Sequence, residues 1–253
     1  MGSIYDEEYL QQLADDEDEM SEAAILDMIS VVTSSQTELE KELRLFYQKY
    51  GTDGVITYSE ARKWVNERDH RRRLTLLALL LSDTFSKVFS DVRPIFQSLT
   101  DNIIKQEFDY FGVAPDPPSL RWGSDNADWL NRLSDNVIAW ESKIMLDIKR
   151  GMLTEKNIDE ILKTVDKRFM SIENILQRLV VTETTAISSI ARKAAFKELG
   201  ITKYKYFARE DERTCDQCGA LHGLVFPISA YEPSVTAPAI HTNCRCYTLP
   251  IRD

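Results

Sequence analysis

The stretch that decides the fold lies late in the chain. It reads Asp211-Glu-Arg-Thr-Cys215-Asp-Gln-Cys218-Gly-Ala-Leu-His222-Gly223 and resumes at Pro238-Ala-Ile-His241-Thr-Asn-Cys244-Arg-Cys246. All four cysteines and two of the three histidines of the 253-residue chain fall here. A C-x2-C turn aims two thiolates at one point, and a second pair of donors returning on a later strand completes a tetrahedron, the build of structural zinc sites. If Cys244–Cys246 is a strand, side-chain alternation puts both thiols on one side. Five good donors, Cys215, Cys218, His241, Cys244 and Cys246, then compete for four places, with the excess donor behind the others. Buried free thiols or disulfides are the competing reading. His222, beside a glycine, reads as a turn histidine, with metal ligation as its alternative.

Moving outward, Tyr204, Tyr206 and Phe207 introduce a β-type run, KYKYFARE, and short strands are expected at Leu224–Ile228 and Cys244–Ile251. Upstream, from Glu38 to about Gly200, apolar residues recur at spacings of three and four and predict helices. Leu39, Leu43, Phe46, Tyr47 and Tyr50 form one stripe, stopped by Gly51-Thr-Asp-Gly54. Thr57 and Glu60 have the spacing of a capping box. A long stretch from Leu74 to Phe111 contains Pro94, which predicts a break or kink near Arg93. Residues Gly112–Gly123 are a loop on their prolines and glycines. Helices follow over Ala127–Lys149 and Glu155–Leu199, the second with an expected break near Met170–Ser171 and with Gly200 as its cap.

The fold class predicted is mainly α: an elongated helical body with a small C-terminal α+β, mostly β, zinc-binding module. Residues 1–37 are an acidic, flexible or partner-docking segment, 38–200 the helical body and 201–253 the Cys/His module. Zinc would stabilise a module too short for much core of its own.

Charge follows the same division. The chain has 41 acidic and 31 basic residues, a net of −10. Residues 1–40 hold twelve carboxylates and no Lys or Arg, leaving the rest at +2. The longest apolar run, Leu74–Leu81, is far short of the about 20 residues that span a bilayer, so no membrane segment is expected. No secretory leader is read at the N-terminus. Four cysteines are too few for a secreted disulfide framework in this length. No deaminase, metalloprotease, phosphate-loop or nucleophile-elbow motif is found, so no catalytic residue is assigned.

The stretch Asp211–Phe226 is similar to the signature of phage minor head proteins, the head-morphogenesis proteins related to the F protein of phage Mu. The family's closing H-x2-C-R-C element matches His241–Cys246, and Thr182-Glu183-Thr184 looks like the family's R-T-E-T helix. The specific likeness covers about residues 180–250. Two positions depart: Val181 stands where arginine commonly precedes T-E, and Thr242 where proline is frequent. The first weakens any inference of an Arg–Glu pair. The resemblance implies a non-enzymatic virion component inside the head near the portal vertex. It would bind portal protein and act in head assembly, DNA packaging or DNA ejection, after synthesis in the host cytoplasm. Major capsid protein and packaged DNA are further partners to test.

Two basic groups are the candidate DNA contacts. One centres on Arg71, Arg72 and Arg73, with Arg62, Lys63, Arg68 and His70 nearby. The other includes Lys193, Lys203 and Lys205, with Arg192, Lys197 and Arg209, interleaved with aromatics that could stack on bases. Acids among them blunt both, and solvated helix faces are the competing reading. The acidic leader carries Ile4, Tyr5, Tyr9, Leu10 and Leu13, enough apolar surface to fold against a basic groove.

Overall fold

A computed structural model describes residues 7–66, 71–209, 211–212 and 214–251. Ile4, Tyr5, Arg68, His70 and Arg213 lie outside them. Six α-helices and three strands are found among the described residues: α1 Glu7–Tyr50, α2 Tyr58–Asn66, α3 Arg71–Phe111, α4 Trp129–Leu153, α5 Ile158–Glu198, β1 Lys203–Phe207, α6 Asp216–Leu221, β2 Val225–Pro227 and β3 Tyr247–Ile251. The fold is mainly helical with a small C-terminal sheet. The strands pair antiparallel in the order β2-β1-β3, with Tyr204 opposite Phe226 on one side and Pro250 on the other.

The helix ends follow local chemistry. Gly200 (φ +67°) ends α5 in a Schellman motif, with Gly200 N–H donating to Lys197 O and Ile201 N–H to Phe196 O. Asn157 and Glu160 form a reciprocal box at the start of α5, each side chain accepting from the other's backbone N–H. Glu60 N–H donates to Thr57 Oγ1 (3.3 Å), half of the box expected there. In the Gly51–Gly54 turn, Asp53 (φ +50°) and Gly54 (φ +75°) are both left-handed, and a Cβ on Gly51 would stand 2.6 Å from Val55 O.

No break occurs at either of the two places where one was expected. The helix α3 runs through Pro94 and α5 runs through Met170–Ser171. Proline removes one backbone donor, but Val92 and Phe96 on either side are fully buried, and this packing holds the helix across the gap.

The chain forms two compact units, and α1, α3, α4 and α5 contribute to both. The unit of Asp27–Pro94 and Leu133–Leu176 has an almost wholly apolar interior. Phe85 stacks on Phe169 (centroids 6.1 Å apart), and buried Trp64 meets Phe46 edge-on at 5.8 Å. The unit of Met1–Leu26, Ile95–Arg132 and Gln177–Asp253 holds the sheet. Its core joins Leu10 and Leu13 of α1, Phe111 of α3 and Phe196 of α5 to Tyr204, Tyr231, Tyr247 and Leu249. The acidic segment expected to be flexible or to dock on a partner is therefore helical from Glu7. Leu10 and Leu13 are buried in this core while Tyr9 stays exposed, and Asp15 and Asp18 pair with Arg209. Tyr247 Oη also donates to Gln11 Oε1 (2.9 Å).

Candidate metal centre

The first two donors come from a knuckle. Cys215 caps the short helix α6, and its sulfur accepts the Cys218 backbone N–H at 3.3 Å. The next donor comes from a turn in which Cys244 N–H donates to His241 O, with Asn243 in the left-handed region (φ +61°) that asparagine tolerates. Cys244 and Cys246 follow as irregular chain, since β3 starts only at Tyr247 rather than at Cys244 as expected. Both nevertheless lie with Cys218.

The five donors fall into two overlapping triads that share Cys218. Cys215, Cys218 and His241 are one, and Cys218, Cys244 and Cys246 the other, each with its ligand atoms within 4.8 Å of one another. His241 Nε2 is 3.1 Å from the sulfurs of both Cys215 and Cys218, and Cys218 and Cys244 sulfurs are 3.9 Å apart. With Zn–S about 2.3 Å and Zn–N about 2.0–2.1 Å, a tetrahedral site has edges of about 3.8 Å between sulfurs and about 3.5 Å between sulfur and nitrogen. The sulfur–sulfur separation is close to its edge, and both sulfur–nitrogen separations are shorter than theirs. His241 Nδ1 lies 2.7 Å from Thr242 O, so its proton is held there and the Nε2 lone pair faces the thiols.

Electrostatics favour a cation. Hydrogen bonds from Cys218 and Cys246 hold the Cys244 thiol down to about 2, while hydrogen bonding to Cys244 and burial push Cys218 and Cys246 up. Thiolates packed this closely repel one another, and a positive ion between them offsets that repulsion. The donor chemistry, the spacing and the histidine tautomer all fit a metal ion.

The ligand segments are held by groups that the sequence reading gave other roles or none. Tyr206 is fully buried, and its hydroxyl lies 3.4 Å from Cys218 Sγ and 3.9 Å from Cys244 Sγ. On α5, Thr182 Oγ1 accepts Asn243 N–H (3.1 Å) and Thr185 Oγ1 donates to Cys244 O (2.5 Å). Between them Glu183 is 1% exposed and accepts from Trp122 Nε1 (2.9 Å) and Arg132 Nη1 (2.7 Å). Burial still pushes this carboxyl above the usual range, against both donors. Glu183 thus has an arginine partner, from position 132 rather than from position 181. The i, i+3 spacing of Thr182 and Thr185 puts both on one helix face and was the available signal; nothing local marked Arg132.

His222 is in neither triad. It packs on Phe207 (ring centroids 4.6 Å) and lines an open cleft with Gln11, Lys205 and Arg209. Of the candidate DNA contacts, Arg71 and Arg72 are exposed, and Arg73 is half-buried over Trp64 and Tyr50. Lys203 is exposed and Lys205 lies over Phe207 at 5.5 Å. Lys193 donates to Tyr231 O. Arg192 is no surface cation: at 1% exposure it pairs with fully buried Glu107, which also accepts from Ser188 Oγ (2.7 Å). Tyr204 and Tyr206 are likewise core residues rather than a stacking platform, because their rings complete the two clusters beneath the sheet.

Residues 142–249, less than half of the chain, match the family described as Phage Mu protein F like protein. The match bears out the resemblance and begins further upstream than the signature residues, inside α4. A protein of Haemophilus influenzae, described as uncharacterized, is 26% identical over 116 residues, which is 45% of this chain and 24% of that protein. The chain thus spans about a quarter of that relative. No solved structure matches it significantly. No described helix is long and apolar enough to cross a membrane.

Proposed function

We propose, from the premise that residues 142–249 are a Phage Mu protein F like region, that the protein is a non-enzymatic minor structural component of a tailed-phage head. In this reading it is made in the bacterial cytoplasm and sits inside the head at the portal vertex. It contacts portal protein and serves head assembly, DNA packaging or DNA ejection. The observation that carries the reading is the family match falling on the helix and module that converge on the five donors.

Cys215, Cys218, His241, Cys244 and Cys246 are the ligand set from which one zinc ion draws four. When bound, zinc supplies cross-linking rather than chemistry, since four protein ligands leave no position for a substrate. The chain's own groups do the rest. Thr182 and Thr185 tie the His241–Cys244 turn to α5, and Glu183, gripped by Trp122 and Arg132, locks that helix to the first turn of α4 and the loop before it. The module is thereby held firmly to α5, which suits a fixed position in an assembly. Burial of Arg192, Tyr204 and Tyr206 counts against a module built primarily to bind nucleic acid.

Two measurements test this. Elemental analysis of the reduced full-length protein is expected to give about one zinc per chain, and a folded, metal-free module would sink the metal centre. A map of assembled heads is expected to place the chain against portal protein, and its absence from purified heads would overturn the virion role.

A further inference from the structure

The N-terminal part of α3 carries an apolar stripe that faces away from the core of its unit. Leu76 and Leu79 are 46% and 53% exposed on a helix whose Leu77 and Leu81 are fully buried. Continuing the stripe by helical spacing gives Arg72 four residues before Leu76 and Asp83 four residues after Leu79, and both are exposed. At 100° per residue the four side chains fall within about 60° of arc. Their order is positive, apolar, apolar, negative. Arg72 and Asp83 take part in no ion pair among the described residues.

This order is its own complement. When two copies of a helix pack antiparallel about a two-fold axis, residues whose numbers sum to a constant face each other. Here 72 and 83 have the same sum as 76 and 79. One register therefore brings Leu76 against Leu79 of the second copy and Arg72 against Asp83, twice over. Thr75 and half-buried Leu80 share that sum and flank the seam. Few other occupants are specified so closely: DNA has no use for the leucines or Asp83, and a foreign helix would not need charges of opposite sign at matched distances.

We propose that residues 72–83 of α3 are a homodimer contact, in which the protein pairs with a second copy through an antiparallel α3–α3 seam. The seam covers about three helical turns, well under the area of a stable independent dimer. Association is accordingly weak and concentration-dependent. It would matter most where copies are held together in a larger assembly.

The test is a charge exchange on the full-length protein, read by sedimentation equilibrium over a wide concentration range. Arg72→Asp alone and Asp83→Arg alone each place like charges opposite one another twice, and each is expected to weaken the dimer roughly tenfold. The double variant Arg72→Asp/Asp83→Arg reverses both partners at once and is expected to recover wild-type association. Leu79→Lys is expected to abolish it. All four positions are exposed, and circular dichroism at the helix band checks that each variant remains folded. A wild-type chain monomeric throughout the range overturns the proposal. So does a dimer indifferent to the single variants, or a loss that the double variant fails to restore. In that last case Arg72 answers to a partner of another kind, and salt-dependent DNA binding lost with Arg72→Asp would identify it as nucleic acid.

Discussion

The two units stabilise themselves by different physics. Of the eleven buried polar or charged side chains among the described residues, ten (Glu17, Ser21, Thr100, Glu107, Glu183, Thr184, Ser188, Ser189, Arg192 and Thr248) lie in the unit with the candidate metal centre. Ser35 alone lies in the other. One interior depends on matched hydrogen bonds, a buried ion pair and a cluster of thiols. The other depends on aliphatic and aromatic packing. Apolar packing tolerates local rearrangement, whereas a half-satisfied polar network is worse than none. The polar unit should therefore hold one geometry more strictly and fail more abruptly when a partner is removed.

The largest effect expected is from the shared ligand. Cys218→Ser removes the only donor common to both triads, and it should release the metal and unravel the sheet, because metal binding supplies folding free energy to such modules. Hydrogen exchange should then rise across residues 203–251 while residues 133–176 stay protected. Equal loss of protection in both would erase the contrast. Next come two deletions of like size but unlike character. Arg192→Met strands buried Glu107 and should cost about 3–5 kcal/mol. Phe169→Ala in the apolar unit should cost about 3–5 kcal/mol through its cavity. Adding Glu107→Leu should recover much of the first loss and none of the second, read by denaturant titration, and the same outcome in both backgrounds would undo the distinction.

Smaller again is Thr185→Val. It removes the donor to Cys244 O and should cost about 1 kcal/mol, seen as faster zinc loss to a chelator with the fold intact. An unchanged rate would remove α5 from the support of the site.

The gentlest test concerns Glu17. Burial, reinforced by the neighbouring Glu107 charge, pushes its carboxyl well above the usual range. A group whose folded value is raised contributes fully below its unfolded value, and that contribution is lost as pH rises through the folded value. Glu17→Gln should thus raise the unfolding temperature at pH 8 and leave it unchanged near pH 4. A variant less stable at pH 8 would mean that Glu17 is ionised in place.

How much of this was legible in sequence depends on the range of the signal. Cys215, Cys218, His241, Cys244 and Cys246 stood out because ligand spacing is a short-range pattern. The strands around them and the Gly200 cap were readable for the same reason. The two missed continuities, at Pro94 and at Met170–Ser171, arise because buried neighbours outweigh a local preference. Arg192 and Glu183 show the harder limit. An arginine among lysines on a helix looks like a surface charge until Glu107, 85 residues away in sequence, is seen to meet it. Likewise no pattern near Thr182-Glu183-Thr184 announces Trp122 or Arg132. In the acidic segment Leu10 and Leu13 were legible as apolar anchors, but no local pattern showed that their place is the core beside Tyr247 and Leu249.

That fastening bears on how the protein is made. Tyr247 reaches Gln11, and Leu10 and Leu13 share a core with Leu249. During synthesis at about 5–20 residues per second, residues 7–26 must wait on the order of ten seconds or more for the strand that covers them. The segments of the apolar unit are all translated by residue 176. Birth order and folding order are therefore inverted for the first helix. A chain ending at Gly200 should protect residues 133–176 from protease while remaining open to cleavage between Glu7 and Leu26. For that interval the acids along α1 have a second use, keeping an uncovered apolar helix soluble until its own C-terminal strand arrives.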